Sequence, residues 1–487
     1  MTKRDLLLAS LSLTCLSVFP IKARESIQQT ELVIVGAGIA GLTAAVVAKE
    51  AGIRQVVILE KEPVIGGTSI VTNGFWSLSN TDYQRHFDIV DSDDAFYDDM
   101  RRIGGFVNEP ELVRAMIRAS REQYEWFLTQ GIAPIGLVSA EGVRRVHVFD
   151  IVALIEKLRQ LALQAGVKIL TNACATALIT ENQRVIGVRY TKTGQEQSIT
   201  ATRGVLLATG GFSRNANLIH QYNPQLDKAA VVAPNGVDGD GLLMALTLGA
   251  QLRDTEYLKA SFGFIRNPSS MADLSLVQYS GAIVVNRSGE RFMNESLPYK
   301  EMADYALAQP GKETFYLFDE AIRQRAMKQP PDDRIMKLID EGQGGDRIYR
   351  DVSLKELALR VGIPADHLQT TLTRYNTMVK SREQDWLGRA HLTSQSDQKL
   401  VPIEEPPFYL MPTTPAIIGT YCGVRIDERA HVLRTNGEWI PGLWAAGEIT
   451  GGVHGASFIM GTAIAKAIAF GRLAALDIAG VAQGKTK

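Results

Sequence analysis

A glycine-rich turn between a strand and a helix is the feature that most constrains the fold of this chain. The apolar run 32–35 predicts a buried parallel strand, and Gly36, Gly38 and Gly41 follow it in the G-x-G-x-x-G spacing. In such a turn one glycine permits a tight bend, one lets the backbone approach a pyrophosphate, and one lets the helix pack against the strand. We therefore expect a Rossmann-like α/β domain that binds a dinucleotide, although a glycine turn can also serve packing alone.

The residues after this turn extend the same prediction. Ala40 and the alanine-rich run 42–49 predict a helix whose first N–H groups would face the phosphates. A second predicted strand, 55–59, ends at Glu60, roughly 20 residues after the turn, where an acid can accept a hydrogen bond from a ribose hydroxyl. Further candidate cofactor contacts in this part of the chain are Lys61, Gly67, Thr68, Ser69, Asn73 and Gly74.

Two later apolar stretches, 205–211 and 442–448, also read as strands that end in glycines. Three such strands can converge on one cofactor, and the helix predicted over 461–478 could stabilise negative charge there through its N-terminus. Glu448, at the end of the second of these stretches, is expected to contact the cofactor, with a buried structural carboxylate as the alternative. The candidate cofactor contacts in these stretches and beside them are Ala175, Ala208, Thr209, Gly210, Asp240, Gly447, Glu448, Gly461, Ala463 and Ile464.

The first residues are typical of a secretory signal peptide. Lys3 and Arg4 precede an apolar run, 6–20, and we assign residues 1–27 to a signal that directs the protein to the periplasm. The start resembles a twin-arginine signal with lysine in the first arginine place; Sec export and an uncleaved anchor are the alternatives. A formal net charge of −1 gives no reason to expect a nucleic-acid partner, and no C-x-x-C-H motif or metal-ligand spacing is present, so neither covalent haem nor a metal is expected.

Four motifs together resemble one protein family, and they extend over most of the chain, from about residue 31 to 478. They lie at 36–41, 208–212, 285–295 and 441–456. The chain resembles the flavoprotein subunits of fumarate reductase and succinate dehydrogenase, especially the single-chain periplasmic flavocytochrome-type reductases. The resemblance implies a glutathione-reductase-type FAD-binding domain in two parts, 28–254 and 406–487. An inserted α+β capping domain, 255–405, would interrupt it, with the active site between the two.

The resemblance also implies a chemistry, and this sequence departs from it at key positions. In the family, a hydride adds to a double bond polarised by a carbonyl, an arginine supplies the proton, and arginine and histidine bind the substrate carboxylates. Because a dicarboxylate enclosed without arginine would keep unpaired charges, we expect a less charged α,β-unsaturated carbonyl compound rather than fumarate. The positions that differ are Tyr299 and Phe458 for arginines, Gly419 for the histidine, and Ser275 and Gln278 for a relay glutamate and arginine.

Two tyrosines are the candidate catalytic residues. Tyr299 replaces the family's acid, and Tyr421 lies on the segment that passes the flavin in the family; either phenol, with an ordinary pKa of about 10, could donate a proton. Pocket filling is the alternative for Tyr299, and Lys300 is a more distant option for the acid. Expected substrate contacts are Trp76, which could equally be a core residue, and Tyr279, His454, Gly455 and Phe458.

Three functions are compatible with these residues. The leading one is an exported FAD-dependent reductase of an activated carbon–carbon double bond, in anaerobic respiration. Its electrons would come from a separate c-type cytochrome or a quinol dehydrogenase. The second runs in the other direction, as an FAD-dependent dehydrogenase or oxidase similar to the 3-ketosteroid dehydrogenases. The third is a flavin-binding protein for electron transfer or sensing.

Overall fold

A computed structural model describes residues 28–140, 143–393 and 397–481, so the predicted signal peptide lies outside the described residues. The described part forms an α/β fold with one large sheet, a second sheet of six strands, and two small ones. This confirms the predicted fold class.

The strands of the described residues are given first. They are β1 (Gln28–Val35), β2 (Val56–Leu59), β3 (Phe75–Ser77), β4 (Gly136–Ala140), β5 (Val143–Val148), β6 (Lys168–Leu170), β7 (Ala173–Glu181), β8 (Arg184–Lys192), β9 (Gln195–Leu207), β10 (Ala230–Val231), β11 (Leu252–Arg253), β12 (Ser261–Ile265), β13 (Ile283–Asn286), β14 (Thr314–Asp319), β15 (Tyr349–Asp351), β16 (Phe408–Ile417), β17 (Gly423–Val424), β18 (His431–Leu433) and β19 (Trp439–Ala445).

The α-helices lie between and after these strands. They are α1 (Ile39–Glu50), α2 (Asp82–His86), α3 (Asp93–Ile103), α4 (Pro110–Thr129), α5 (Ile151–Gln164), α6 (Ala216–Tyr222), α7 (Asp240–Leu246), α8 (Tyr299–Leu307), α9 (Glu320–Ala326), α10 (Asp332–Asp340), α11 (Leu354–Val361), α12 (Ala365–Ser381) and α13 (Thr462–Ala479).

The large sheet places the three predicted glycine-ended strands side by side. Its strand order is β18-β19-β9-β1-β2-β6, and β1, β2, β6, β9 and β19 pair in parallel. Parallel strands buried on both faces are apolar throughout, as β2 and the second half of β1 are. Helices α1 and α13 pack so closely that a Cβ at Gly471 would lie 2.5 Å from the carbonyl oxygen of Ala40.

Strand β9 is longer than the sequence pattern indicated. The sequence predicts a short strand over 197–201 and a separate one over 205–211, but the structure has a single strand, Gln195–Leu207. Gly204, with φ of +148°, lies against Gly442 and Trp444, where a Cβ would be 2.5 Å from the indole ring. The glycine therefore bends the chain without ending the strand, so β9 pairs with β8 at its start and with β1 and β19 at its end.

The sequence of residues 281–295 predicts a hairpin with a turn at 286–289, and the second sheet contains this hairpin in altered form. The turn at 286–289 is present, with the Gly289 N–H donating to the Asn286 carbonyl at 3.0 Å. Residues 291–293 do not form the predicted second strand, because Arg291 makes only an isolated bridge with Val285. Strand β13 pairs instead with β14, and β14 pairs with β16. The predicted domain limit at 405/406 falls just before β16, which pairs within this second sheet.

A buried ion network explains why Arg291 leaves the hairpin. Its guanidinium contacts Glu295 at 2.6 Å and Asp385 at 2.8 Å, and Arg389 lies 3.5 Å from Glu295. All four side chains are fully enclosed, or nearly so. Buried charges are tolerated when each has a partner of opposite sign, and here they join the turn to the segment after α12. This agrees with the structural role expected for Arg291 and Glu295.

The helical stretch predicted over 91–131 is divided into two helices. Helix α3 ends before Gly104 and Gly105, and α4 begins with Pro110 as its first residue. Gly105, with φ of +65°, favours a helix end, and proline is well suited to the first turn of the next helix. The intervening loop has Phe106 in the left-handed region, with φ of +59°. This loop packs against the segment that carries His454.

Candidate active site

A cavity of about 420 Å³ lies at the carboxyl ends of three parallel strands. The register pairs Val35 of β1 with Leu207 of β9, and Leu207 with Ala445 of β19. Just beyond these pairs, Ala208 N–H donates to the Val35 carbonyl at 2.7 Å and Ala446 N–H to the Leu207 carbonyl at 2.9 Å. The glycine-rich ends of the three strands therefore meet at one edge of the sheet. This is where ligands bind in open parallel sheets.

Glycines are required at the first of these strand ends. Gly36 has φ of +106°, and a Cβ there would lie 2.2 Å from the Ala208 carbonyl oxygen. A Cβ at Gly41 would lie 2.1 Å from the Gly36 carbonyl oxygen. The tight turn and the close packing of α1 thus both depend on the missing side chain.

Two helix N-termini at this cavity lack the usual side-chain caps. Helix α1 begins after Gly38 and α13 after Gly461, neither N-cap glycine supplies a side-chain hydrogen bond, and neither first turn contains an acid. At α1, the Ile39 N–H donates to Ser69 Oγ at 3.3 Å. Ile39 and Ala463 line the cavity beside them. Open N–H groups and a positive dipole end suit a bound anion. Buried Thr209 Oγ1 also has no hydrogen-bond partner among the described residues, so the cavity fits the polar groups of FAD.

Most predicted cofactor contacts line this cavity. Those that do are Gly36, Gly38, Ala40, Glu60, Lys61, Gly67, Thr68, Ser69, Ala175, Ala208, Thr209, Gly210, Asp240, Gly447, Glu448, Ala463 and Ile464. Gly41 and Gly461 lie behind the lining, where they allow close helix packing. Gly74 contacts the Phe149 backbone, and the Asn73 side chain accepts a hydrogen bond from Arg334 at 2.8 Å.

Charged groups of this cavity are held by specific partners. Glu60 accepts hydrogen bonds from the Ala37 N–H at 2.8 Å and the Glu62 N–H at 2.9 Å. Lys61 Nζ lies 2.8 Å from Asp238 and 2.6 Å from Asp240. Partial burial would lower the pKa of Lys61, but these two carboxylates outweigh it and raise the pKa, so the lysine stays charged.

Half-buried Glu448 and buried Lys466 also line the cavity. Burial raises the pKa of Glu448, although the Thr420 N–H, which donates to it at 2.9 Å, opposes the shift. Burial lowers the pKa of Lys466 to about 8, and its Nζ donates to the Thr450 carbonyl at 2.8 Å. At position 419, where the family has histidine, a Cβ would lie 3.1 Å from the Glu448 carboxylate. Gly419 thus leaves Glu448 closely surrounded by backbone.

Four of the predicted catalytic and substrate-binding residues form an aromatic cluster. Tyr421 and Phe458 stack with ring centroids 4.3 Å apart, and His454 meets the Tyr421 ring edge-on at 5.3 Å. Tyr299 meets Phe458 edge-on at 6.2 Å. Tyr421 also lines the cofactor cavity. The cluster therefore adjoins the cavity, with Tyr421 common to both.

The loop that carries His454 is held by backbone bonds. Gly452 N–H donates to Asp254 at 2.7 Å, and Ala456 N–H donates to the Gly104 carbonyl at 3.1 Å. His454 Nδ1 lies 3.4 Å from Thr462 Oγ1, and Nε2 has no partner within the described ranges. Burial, together with Lys466 and Lys300, lowers the pKa of His454 well below its usual value. The imidazole is therefore neutral, which does not suit it to donate a proton at neutral pH.

Lys300, only a distant candidate for the acid from its sequence, lies beside the aromatic cluster. It is 4% exposed, lies in the first turn of α8, and holds Nζ 4.0 Å from the centre of the Tyr421 ring. A signal was available, because positions 300, 303 and 307 lie on the apolar face of α8, where a lysine is unusual. The cluster is therefore less depleted of positive charge than the lost arginines indicated.

The other predicted substrate contacts have partners outside this cluster. Trp76 is fully buried, donates through Nε1 to Ser120 Oγ at 2.7 Å, and packs edge-on against Tyr124. It is thus a core residue, the alternative considered from the sequence. Tyr279 donates to the Leu297 carbonyl at 2.8 Å, and Gly455 packs on the loop between α3 and α4.

The two predicted relay positions also have partners in the second sheet region. Ser275 donates to Asp332 at 2.6 Å, and burial raises the pKa of that aspartate to about 7. Gln278 contacts Met302. Over 28–140, 143–393 and 397–481, no group of histidine, cysteine or carboxylate side chains is arranged to hold a metal ion. Within those ranges no helix has the length and apolar content needed to span a bilayer.

Comparisons with known proteins match this chain over most of its length. The family described as FAD binding domain matches residues 31–464. The chain is 30% identical over 457 residues to a fumarate reductase (cytochrome) from Shewanella frigidimarina, covering 92% of this chain and 77% of that protein. It is 28% identical to a 3-oxosteroid 1-dehydrogenase from Mycobacterium tuberculosis, covering 93% and 99%. The open conformation of a flavocytochrome c3 fumarate reductase superposes with a TM-score of 0.77 and 27% identity, covering 93% of this chain and 78% of that one.

Proposed function

Because this chain belongs to the FAD-binding family of the fumarate reductase flavoproteins and 3-oxosteroid dehydrogenases, and is an FAD-dependent oxidoreductase acting on CH–CH groups, we propose that it reduces an α,β-unsaturated carbonyl compound other than fumarate. The supporting observation is the position of Tyr421, which lines the cofactor cavity and stacks on Phe458 in the aromatic cluster. A flat conjugated substrate beside these rings would lie next to the cofactor.

Each member of the cluster has a role in this proposal. Bound and reduced, FAD supplies a hydride to the electron-poor carbon of the double bond. Tyr421 and Tyr299 donate hydrogen bonds to the substrate carbonyl oxygen and so polarise the bond. Phe458 and the neutral His454 form apolar walls that exclude water, which strengthens those hydrogen bonds. Burial, with Tyr299 and Glu448 nearby, raises the pKa of Tyr421 well above 10, so its hydroxyl keeps its proton for donation.

The charges of the cluster define the substrate class. One ammonium group, Lys300, borders the rings, and the positions of two family arginines hold Tyr299 and Phe458. A dicarboxylate would therefore bring one more negative charge into the pocket than its cation can pair, at a cost of several kcal/mol. Enones and arylacrylates, which carry one carbonyl or carboxylate group and an apolar remainder, suit the site better.

Export and a separate electron donor complete the proposal. The basic start and apolar run of residues 3–20 support a signal peptide and a periplasmic location. A c-type cytochrome or a quinol dehydrogenase would then supply electrons. The cytochrome is favoured by the similarity to a protein named fumarate reductase (cytochrome).

Dehydrogenation is the second candidate function. It is supported by the similarity to a 3-oxosteroid 1-dehydrogenase along nearly the whole of both chains. The two tyrosines of the cluster also fit it, since their hydroxyls could polarise the carbonyl of a saturated ketone. In that case a saturated 3-oxosteroid would bleach the oxidised flavin of the purified protein.

A donor-linked screen tests the proposal. Purified FAD-loaded protein is mixed with reduced methyl viologen and, one at a time, with fumarate, acrylate, cinnamate and 2-cyclohexenone. We expect viologen oxidation with cinnamate or the enone and little with fumarate. Tyr421→Phe should lower that rate at least tenfold, whereas the control Tyr190→Phe, whose hydroxyl bonds Gln197 in the outer strands, should not. Rapid fumarate turnover, or bleaching by saturated ketones alone, would contradict the proposal.

A further inference from the structure

We infer that Lys300, rather than a tyrosine, is the catalytic acid that protonates the substrate carbon next to the carbonyl, an inference that rests on the proposed reductase function. From the sequence alone, Tyr299 is the first candidate for the catalytic acid and Lys300 a more distant one. The structure reverses the order, because it shows where the lysine side chain ends and what surrounds it.

The position of the ammonium group is the first argument. Lys300 Nζ lies 4.0 Å from the ring centre of Tyr421 and 5.0 Å from that of Phe458, while the two ring centres are 4.3 Å apart. Since these three distances are similar, Nζ lies at the side of the stacked pair and not beyond either ring. A conjugated molecule bound beside the stack would meet the ammonium group directly.

Buried Lys300 also has no hydrogen-bond partner among the described residues. Lys300 is 4% exposed, and no donor or acceptor of the described residues bonds its Nζ. Two other lysines at the cavity differ, since Lys466 bonds the Thr450 carbonyl and Lys61 bonds two aspartates. The ammonium contacts the Tyr421 and Phe458 rings but forms no hydrogen bond, so its N–H donors remain for a bound molecule.

The charged and titratable groups around Lys300 favour easy loss of its proton. Burial lowers its pKa to about 7, and Lys259 lowers it further. The opposing groups are Glu448, Asp304 and Cys422, and their effect is smaller. His454 and Tyr421 complete the surroundings, and they carry no charge at neutral pH, since burial lowers the pKa of the imidazole and raises that of the phenol. A general acid works best when its pKa is near the working pH, which here favours the lysine.

The proton transfer from Lys300 follows hydride addition to the double bond. When hydride adds to the β-carbon, the electron pair of the double bond moves toward the α-carbon and the carbonyl. The α-carbon then takes a proton from Lys300: one N–H bond breaks and one C–H bond forms. The lysine is left neutral and regains a proton from solvent. The substrate gains two electrons and two protons in total, as one hydride and one proton, and the separate redox protein of the proposed function supplies the two electrons.

The test compares three variants of the FAD-loaded enzyme with cinnamate and 2-cyclohexenone as probes. We expect Lys300→Met to lower kcat about 100-fold or more while FAD stays bound, and Tyr299→Phe to lower it less. The wild-type kcat should fall above about pH 7. Lys259→Met is the matched control, because that lysine pairs with Asp304 outside the cluster. It should keep kcat within threefold and move the fall to higher pH, since one positive charge near Lys300 is removed.

A measurement that does not depend on turnover accompanies the kinetics. With ¹³C-labelled lysine, one side-chain resonance should titrate near pH 7 in the wild type and be missing in Lys300→Met. Full activity of Lys300→Met with a probe that the wild type reduces would overturn the role of Lys300 and leave the reductase function intact. Absence of any double-bond reduction by the wild type, with the titrating resonance present, would overturn the reductase function itself and the catalytic role with it.

Discussion

Two sets of buried charges lie close together along the chain and differ in how they are satisfied. Arg291, Glu295, Asp385 and Arg389 form a closed network in which each charge has a partner of opposite sign. Lys300, five residues beyond Glu295 in the chain, is equally buried and has no hydrogen-bond partner among the described residues. The network joins parts of the second sheet region, whereas the lysine borders an aromatic cluster beside the cofactor cavity.

The difference distinguishes buried charges that stabilise the fold from a buried charge that is available to a ligand. A closed network has no donor left over, so a ligand can gain nothing from it. A buried ammonium without a hydrogen-bond partner lowers the stability of the free protein, and hydrogen bonds to a bound substrate can offset that loss. Stability measurements on variants of the two sets should therefore give opposite signs.

The largest effect is expected from opening the network. Glu295→Ala leaves two buried arginines near one aspartate, and we expect the free energy of unfolding to fall by about 3–5 kcal/mol. Chemical denaturation followed by circular dichroism measures it. A loss below 1 kcal/mol would mean that the arginines find other partners and would remove the contrast.

Removing the unpaired lysine should have the opposite sign. Lys300→Met keeps the length of the side chain and deletes the charge, so we expect a gain of about 1–3 kcal/mol in unfolding free energy at pH 6. Because the folded pKa of about 7 is below the unfolded value, wild-type stability rises between about pH 7 and 10, and the gain should shrink over that range. A gain that does not change with pH would show that the lysine is not the group that titrates.

His431 provides an intermediate case with the reverse pH dependence. Burial alone would lower its pKa, but hydrogen bonds to Asp427 and Asp477, each at 2.8 Å, raise it to about 9. Its stabilising contribution is complete below about pH 6.5 and disappears as the pH rises through 9. His431→Gln should thus cost on the order of 1–2 kcal/mol at pH 6 and almost nothing at pH 10. Equal losses at both pH values would contradict the paired assignment.

The smallest effect is expected for an exposed pair that serves as control. Arg159 and Glu156 lie on the surface of α5, with N–O contacts of 2.7 Å. Water screens such pairs, so Glu156→Gln should leave the melting temperature unchanged within error. A measurable loss would mean that pairing alone, without burial, accounts for the network's effect.

The cofactor part of the molecule was predictable because its chemistry depends on backbone. A glycine such as Gly36 is required by a carbonyl 2.2 Å from its missing Cβ, and that requirement is visible in the sequence as a fixed spacing. Strand ends that align in register, as Val35 and Leu207 do, follow from parallel pairing of apolar runs. The fold class and the cofactor could therefore be derived before the structure was known.

The substrate part was less predictable because it depends on side-chain directions. Trp76 is a large aromatic near a cofactor motif, but it lies on the side of β3 that faces α4, and sequence spacing does not show this. Tyr299 and Lys300 are adjacent, and only the start of α8 decides which of them is enclosed. Strand β16 pairs with β14 in the second sheet, and a run of apolar residues does not show its pairing partners in advance.

Strand β16 has a mechanical consequence for the site. It is the strand to which β10, β12, β14 and β15 all pair, and it ends at Ile417, only a few residues before Tyr421. Four extended residues span at most about 14 Å. A rotation of the second sheet would therefore act, through this short tether, on a ring that borders the cofactor cavity.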